Sequence, residues 1–210
     1  MFIELTDHLR CPSEHPEQFL VLLPEVMDGR RVMQGEVGCP VCGKVVPLRE
    51  GILDFDSDRG GDPVRTGESD GGEVSMPLSA EAALALLGIE GPGGYLLLVD
   101  QAASLAREVE SLLPGVGLVL LNPPVSLTVG WGQAGSTAIS VIRSPRMPVK
   151  ASSMRGAVIG GKASRDPVWV AEAGRVVLPG LRMVSTGPVP PEMPFEILAE
   201  APGCWVGRRL

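Results

Sequence analysis

The chain has 210 residues, 44% of them hydrophobic and 20% charged, with a net charge of −7. That apolar share excludes a chain disordered throughout, and the negative charge sets the molecule as a whole against nucleic acid and anionic membrane. Glycine (27) and proline (20) are nearly twice as frequent as usual, which favours turns and a linker over long helices.

At the start, residues 1–7 lack the basic region and apolar core of a secretory signal. No apolar run reaches the roughly 18 residues of a membrane-spanning helix. The expected setting is cytoplasmic, without membrane contact. Three of the four cysteines follow: Cys11, Cys39 and Cys42, with Cys204 alone near the end. Cys39-Pro40-Val41-Cys42-Gly43 has the form of a zinc knuckle. Two sulfurs three positions apart reach one metal, and the glycine lets backbone N–H groups turn toward the thiolates. Cys11 and His15 supply the pair that completes a tetrahedral Cys3His set, with His8 as a poorer substitute. The plain alternatives are a Cys39–Cys42 disulfide or free thiols, and a reducing compartment disfavours the disulfide.

Between the ligand pairs the pattern predicts strands. Residues 19–23 form an apolar run closed by Pro24, Asp28-Gly29 signals a hairpin turn, and 31–37 and 44–48 read as two more strands. Such a ribbon has too little core to stand without metal. Residues 57–77 read as an acidic, Gly/Ser-rich connector. The predicted layout is therefore a zinc ribbon at 1–56, the linker at 57–77 and a larger domain at 78–210.

In the larger domain the elements alternate. Ser79 caps a helix that ends at Gly88. Continuous apolar runs at 95–99, 116–121, 138–142 and 157–159 read as strands buried on both faces. Helices are expected at 102–113 and 168–173, a fifth strand at 176–178 closed by Pro179-Gly180, and a final strand pair at 195–199 and 204–209. Strands interleaved with helices predict a doubly wound, mostly parallel α/β sheet. A loop at 130–135 carries Trp131 between glycines. Between Arg143 and Arg165 lie six basic residues, including Arg146, Lys150 and Arg155, and no acid. The plain reading of that run is a solvated loop, and a contact with RNA or an acidic partner is the functional one.

Two stretches resemble known families. Leu9-Arg10-Cys11-Pro12, the knuckle, and the run from Val46 to Phe55 with its Pro-x-x-x-Gly-Ile core are similar to the zinc ribbon that opens many bacterial methyltransferases. They are also similar to the small free-standing ribbon proteins that support tRNA and rRNA methyltransferases. The family's first pair is usually C-x-x-C, where this chain has Cys11-x3-His15. Residues 78–210 resemble the class I S-adenosylmethionine-dependent methyltransferases, a Rossmann-like fold. The resemblance is carried by 147–155, by the turn at Ala173-Gly174-Arg175, and by the terminal hairpin.

That resemblance implies a cofactor loop G-x-G-x-G after the first strand, where Cβ atoms would block the ligand's approach. Its glycine positions fall on Asp100, Ala102 and Ser104. The acid that holds the ribose after the second strand falls on Asn122, and the acid near the fourth strand falls on Arg155. The cofactor positions, if they still served, would be Asp100, Gln101, Ala102 and Asn122. The reading is a noncatalytic, methyltransferase-like, zinc-binding protein that acts as a binding or scaffold subunit with a protein partner. It binds one structural zinc through Cys11, His15, Cys39 and Cys42, and binds S-adenosylmethionine poorly or not at all. The ribbon is expected to pack on its own large domain or on a partner through Phe19, Val21 and Leu23. The alternative is an active methyltransferase with an atypical cofactor loop, acting on RNA or a small molecule, since methyl transfer depends chiefly on orientation. Independently of either reading, contacts with an anion or RNA would fall on Arg143, Arg146, Lys150 and Arg155.

Overall fold

A computed structural model of the protein describes residues 1–56, 76–128, 138–191 and 195–210. The tryptophan loop at 130–135 and the connector at 57–75 lie outside the described residues. The first module contributes β1 (Val21–Asp28), β2 (Arg31–Gly38), β3 (Val45–Arg49) and β4 (Ile52–Asp54). The second contributes β5 (Tyr95–Val99), β6 (Gly117–Leu121), β7 (Ile139–Arg143), β8 (Met154–Ile159), β9 (Val177–Ser185), β10 (Phe195–Ala201) and β11 (Cys204–Arg209). Its helices are α1 (Ala80–Leu87), α2 (Ala106–Leu112), α3 (Val125–Thr128) and α4 (Pro167–Val176).

All eleven strands join one sheet, in the order β1-β2-β3-β4-β7-β6-β5-β8-β9-β11-β10. The strands from β4 through β9 pair in parallel, while β1–β4 and the terminal hairpin pair antiparallel. Chain order runs outward from β5 in one direction and from β8 in the other, so the switch point of a doubly wound sheet lies between them. Leu96, Leu98, Leu118, Leu120 and Val158 pack under α1 and α2 on one face. Leu97, Val99, Val119, Leu121 and Ile159 pack against α4 on the other. This alternation along strands that are apolar at every position explains why no polar face is visible in their sequence.

The ribbon does not rely on a core of its own. Leu5, Leu9, Val37, Leu48 and Phe55 belong to the same buried cluster as Leu97, Ile142 and Val149. The join is the short strand β4, which the sequence pattern did not separate from β3. Its residues pair in parallel with β7, Ile52 with Val141, Leu53 with Ile142 and Asp54 with Arg143. The Phe2 amide also donates to Ser140 Oγ at 3.0 Å. The ribbon therefore packs on its own large domain, but not through Val21 and Leu23, which are 49% and 60% exposed because β1 is the outer edge of the sheet. Phe19, just ahead of β1 and 65% exposed, meets the large domain through Lys150, whose ammonium lies over its ring.

Several boundaries differ from the sequence reading for local reasons. Strand β1 continues through Pro24 with irregular register on either side of Val26. An edge strand tolerates a residue that cannot donate to a ladder. Strand β9 continues past Pro179-Gly180, which loop out where the register with β8 shifts between Met154 and Gly156. The expected 102–113 helix is divided into a 3-10 turn at Asp100–Leu105 and α2. Helix α1 follows its signals: the Ser79 side chain accepts from the Ala82 amide, and Gly88 closes it with φ of 64°. No described helix is long and apolar enough to cross a membrane.

Candidate metal centre and cofactor crevice

The knuckle forms where β2 turns into β3. The Cys39 amide donates to the Lys44 carbonyl at 2.8 Å and the Gly43 amide to the Cys39 carbonyl at 2.9 Å. Gly43 takes φ of 69°, a conformation open to glycine. The segment 11–15 comes over this turn from the other side. One ligand atom from each of Cys11, His15, Cys39 and Cys42 lies within 4.8 Å of all the others. The Cys11 and Cys42 sulfurs are 3.7 Å apart, and Cys39 Sγ is 3.3 Å from His15 Nε2.

These spacings pass a simple test of fit. A tetrahedral ion with metal–sulfur bonds of about 2.3 Å and metal–nitrogen bonds of about 2.05 Å has S···S edges near ~3.8 Å and S···N edges near ~3.5 Å. The four residues could thus hold a metal ion. His15 Nδ1 lies 2.8 Å from the Pro16 carbonyl. A proton donated there leaves Nε2 as the free lone pair, the usual outer support of a ligating imidazole. The Lys44 backbone amide, followed by the neighbouring Cys39, His15 and Cys11 side chains, lowers the Cys42 thiol pKa to about 6. That residue is ready as a thiolate at neutral pH. The Pro16 carbonyl raises the His15 pKa, so protons compete with metal for that ring. His8 is not in the cluster. It stacks edge-on against Tyr95 with ring centroids 4.9 Å apart, and burial lowers its pKa.

The second candidate site is the crevice beyond the carboxyl ends of β5 and β8, where open α/β sheets bind ligands. Here the expected cofactor loop is closed against its neighbour. Asp100 sits at φ of 57°, and its carboxylate accepts from the Ala163 amide at 3.2 Å. A Cβ on Gly161 would meet that carboxylate at 2.5 Å. A Cβ on Gly160 would meet Met76 Sδ at 2.6 Å, the Ala102 amide nitrogen at 3.1 Å and Gln101 Cβ at 3.3 Å. Ala102 and Ala103 are fully buried. The loops after β5 and β8 therefore touch each other. Asn122, at the end of β6, is also committed. Its side-chain amide donates to the Ser144 carbonyl at 2.7 Å and its oxygen accepts from the Ser144 amide at 2.8 Å. What is left of the crevice is about 220 Å³, bordered by Val99, Asp100, Asn122, Lys162, Asp166 and Trp169. Ligand pockets are usually about 300–1,000 Å³.

The basic run is not gathered onto one surface. Arg143 ends β7 beside Asp54. Arg146 pairs with Glu14 at 2.8 Å. Lys150 donates to the Asp7 carbonyl at 2.8 Å and lies 3.4 Å over the Phe19 ring. Arg155 is at the opposite, amino-terminal end of β8, where its guanidinium donates to the carbonyls of Glu90, Gly91, Pro92 and Gly93. It does not occupy the place of a cofactor acid. A wider open depression of about 500 Å³ lies at the β10–β11 turn, bordered by Arg165, Thr186, Glu200, Cys204 and Trp205.

Sequence reasoning missed the network that sets the ribbon on α4. Arg10 donates to Glu172 at 2.7 Å, Arg175 bonds the same carboxyl group at 2.9 Å, and Glu17 lies 3.6 Å from Arg175. Arg175 and Glu172 are neighbours on one helix face, but the partners across the two modules are about 160 positions apart in sequence, so no local signal could pair them.

The mostly parallel sheet with its switch point and terminal antiparallel hairpin is a doubly wound α/β fold, preceded by strands and a cysteine cluster that fit a small zinc ribbon. No protein-family model matches the chain, and no curated protein does. Solved structures do match. One is a geranyl diphosphate methyltransferase in complex with SAM, 15% identical over 51% of this chain and 47% of that chain, with a TM-score of 0.42. Another is from the complex of the Haloferax volcanii Trm112 methyltransferase activator with a methyltransferase, 18% identical over 50% of each chain, TM-score 0.41. A third is the antibiotic-resistance methyltransferase Kmr, 12% identical over 66% of this chain and 96% of that chain, TM-score 0.45. The chain spans about half the length of the first two.

Proposed function

We propose that this is a zinc-binding, methyltransferase-like protein that does not use S-adenosylmethionine and acts as a binding or scaffold subunit for a protein partner. One observation carries the reading: the Asp100 carboxylate is bonded to the Ala163 amide and stands where the fold's cofactor loop needs bare backbone. A bound cofactor would have to displace that carboxylate and part the two touching loops. Charge alone does not forbid a sulfonium ligand, but the filled space does.

Zinc is the metal that suits three thiolates and one imidazole in tetrahedral spacing. Its place is structural, because all four positions belong to protein ligands. The edge face bearing Phe19, Val21 and Leu23, with Val41 and Val45 also exposed, supplies apolar surface for a protein partner. The test is a pair of measurements on purified full-length protein. Metal analysis is expected to find one zinc per chain. Titration calorimetry with S-adenosylmethionine is expected to give no binding heat. Low-micromolar affinity would establish the active-enzyme alternative instead.

A further inference from the structure

The segment 10–17 has two jobs that meet in a few residues. It carries two members of the metal cluster, Cys11 and His15. Interleaved with them are Arg10, Glu14 and Glu17, which all reach the large domain. Arg10 bonds Glu172 on α4 and, at 3.3 Å, the Met147 carbonyl. Glu14 pairs with Arg146. Glu17 accepts from the Ala151 amide at 3.3 Å and lies beside Arg175. Just ahead of it, the Arg10 amide donates to the Pro148 carbonyl and the Lys150 amide to the His8 carbonyl, each at 2.9 Å. The segment forms no helix or strand of its own, and most of it beyond Cys11 is not buried.

Beyond Cys11 so little is buried that the stretch is not held by packing, and half-exposed ion pairs are individually weak. What fixes it is the cluster, which ties Cys11 and His15 to the knuckle. We infer that residues 12–17 form a metal-held strap: zinc at the Cys3His cluster locks this segment onto the 146–151 loop and α4, and loss of zinc releases it while fully buried Leu9 and the β4–β7 seam stay in place. Release parts Glu14 from Arg146, and Glu17 from Arg175 and the Ala151 amide. The seam is independent of the metal because it rests on β4 pairing and on Leu53, which is fully buried.

Because the metal favours the strapped state, strap contacts must favour the metal by the same factor. The inference rests on the zinc reading above, and the experiment separates the two. Hydrogen exchange is followed on full-length protein with zinc and after chelation. Without zinc, the Ala151 amide, bonded to Glu17, and the His15 amide, bonded to the Ser13 carbonyl at 3.0 Å, should lose protection. The Arg10 amide, beside fully buried Leu9, and the Phe55 amide, bonded to the Arg143 carbonyl at 2.9 Å, should keep it. In parallel, zinc affinity is measured by chelator competition for Glu172→Gln, on α4 and remote in sequence from every ligand. It should bind zinc about 5-fold or more weakly than wild type. The control Arg30→Ala, which breaks the ribbon's exposed pair with Glu4, should bind as wild type does. Unchanged protection at His15 and Ala151 in protein that has demonstrably lost zinc would overturn the strap. So would protection lost together with that of Phe55, or wild-type affinity in Glu172→Gln. Protein that takes up no zinc at all would instead refute the metal reading.

Discussion

The knuckle cluster and the switch-point crevice are both loop-built sites at the ends of strands in one sheet, and they have opposite contents. At the knuckle, four side chains converge on one point, with S···S and S···N spacings of 3.7 and 3.3 Å that suit an ion. At the crevice, side chains converge on each other: Asp100 on Ala163, and Met76 and Gln101 on Gly160. One site directs its ligand atoms at a shared centre, and the other satisfies its polar groups internally. A sheet held by its own apolar strands can stand whether or not the loops at its carboxyl end leave a ligand site open.

The largest expected effect is at the knuckle. Cys39→Ser should reduce bound zinc from about one equivalent toward zero and lower stability by several kcal/mol, read by metal analysis and thermal melting. Full metal occupancy in that variant would remove Cys39 from the site. Next comes the seam that joins the two modules. Leu53→Ala, at a fully buried position, should cost about 2–5 kcal/mol in denaturant unfolding. A cost below this range would mean that β4 is peripheral and that the ribbon is attached mainly by its strap.

The crevice gives a smaller signal. Gly161→Ala adds a Cβ 2.5 Å from the Asp100 carboxylate at a backbone φ of 62°, and should destabilise by more than the roughly 1–3 kcal/mol that backbone strain alone costs. Were the crevice open in solution, the new methyl group would have room and only the backbone strain would be felt. The smallest effect is on the pH dependence of zinc affinity. Folding lowers the Cys42 pKa from 9.0 to about 6. The thiolate's contribution is therefore intact at neutral pH and is lost as pH falls through about 6. There Cys42 should add about one proton to the slope of log affinity against pH, measured by competition titration. A Cys42 proton still released on zinc binding at pH 8 would contradict the depressed value.

Legibility followed the range of the interactions. The Cys3His cluster could be read because two of its members sit three positions apart beside a glycine. The strands β5, β6 and β7 could be read because each is a continuous apolar run. Asp100, Ala102 and Ser104 could be marked as a departure from a glycine loop, but their partners Ala163 and Gly160 are some 60 positions away, so the closure itself was invisible. The same holds for β4. Three residues, Ile52, Leu53 and Asp54, are too short a pattern to be distinguished from β3, and their parallel partner lies beyond the linker. For Phe19, Val21 and Leu23 the apolar pattern left two covers open, the large domain or a partner, and nothing in sequence says that β1 is an outer edge. The charges of Arg146, Lys150 and Arg155 were legible and their use was not, because Glu14, Asp7 and the 90–93 carbonyls are brought to them only by the fold.

The closed crevice is tested most directly by amide NMR on the zinc-loaded protein as S-adenosylmethionine is raised to about 1 mM, a concentration that fills a site of even a few kcal/mol affinity to an observable extent. The resonances of Asp100, Gly160, Gly161 and Ala163 should stay where they are. Saturable shifts of those four signals at micromolar ligand would show that the loops part and that the cofactor site survives.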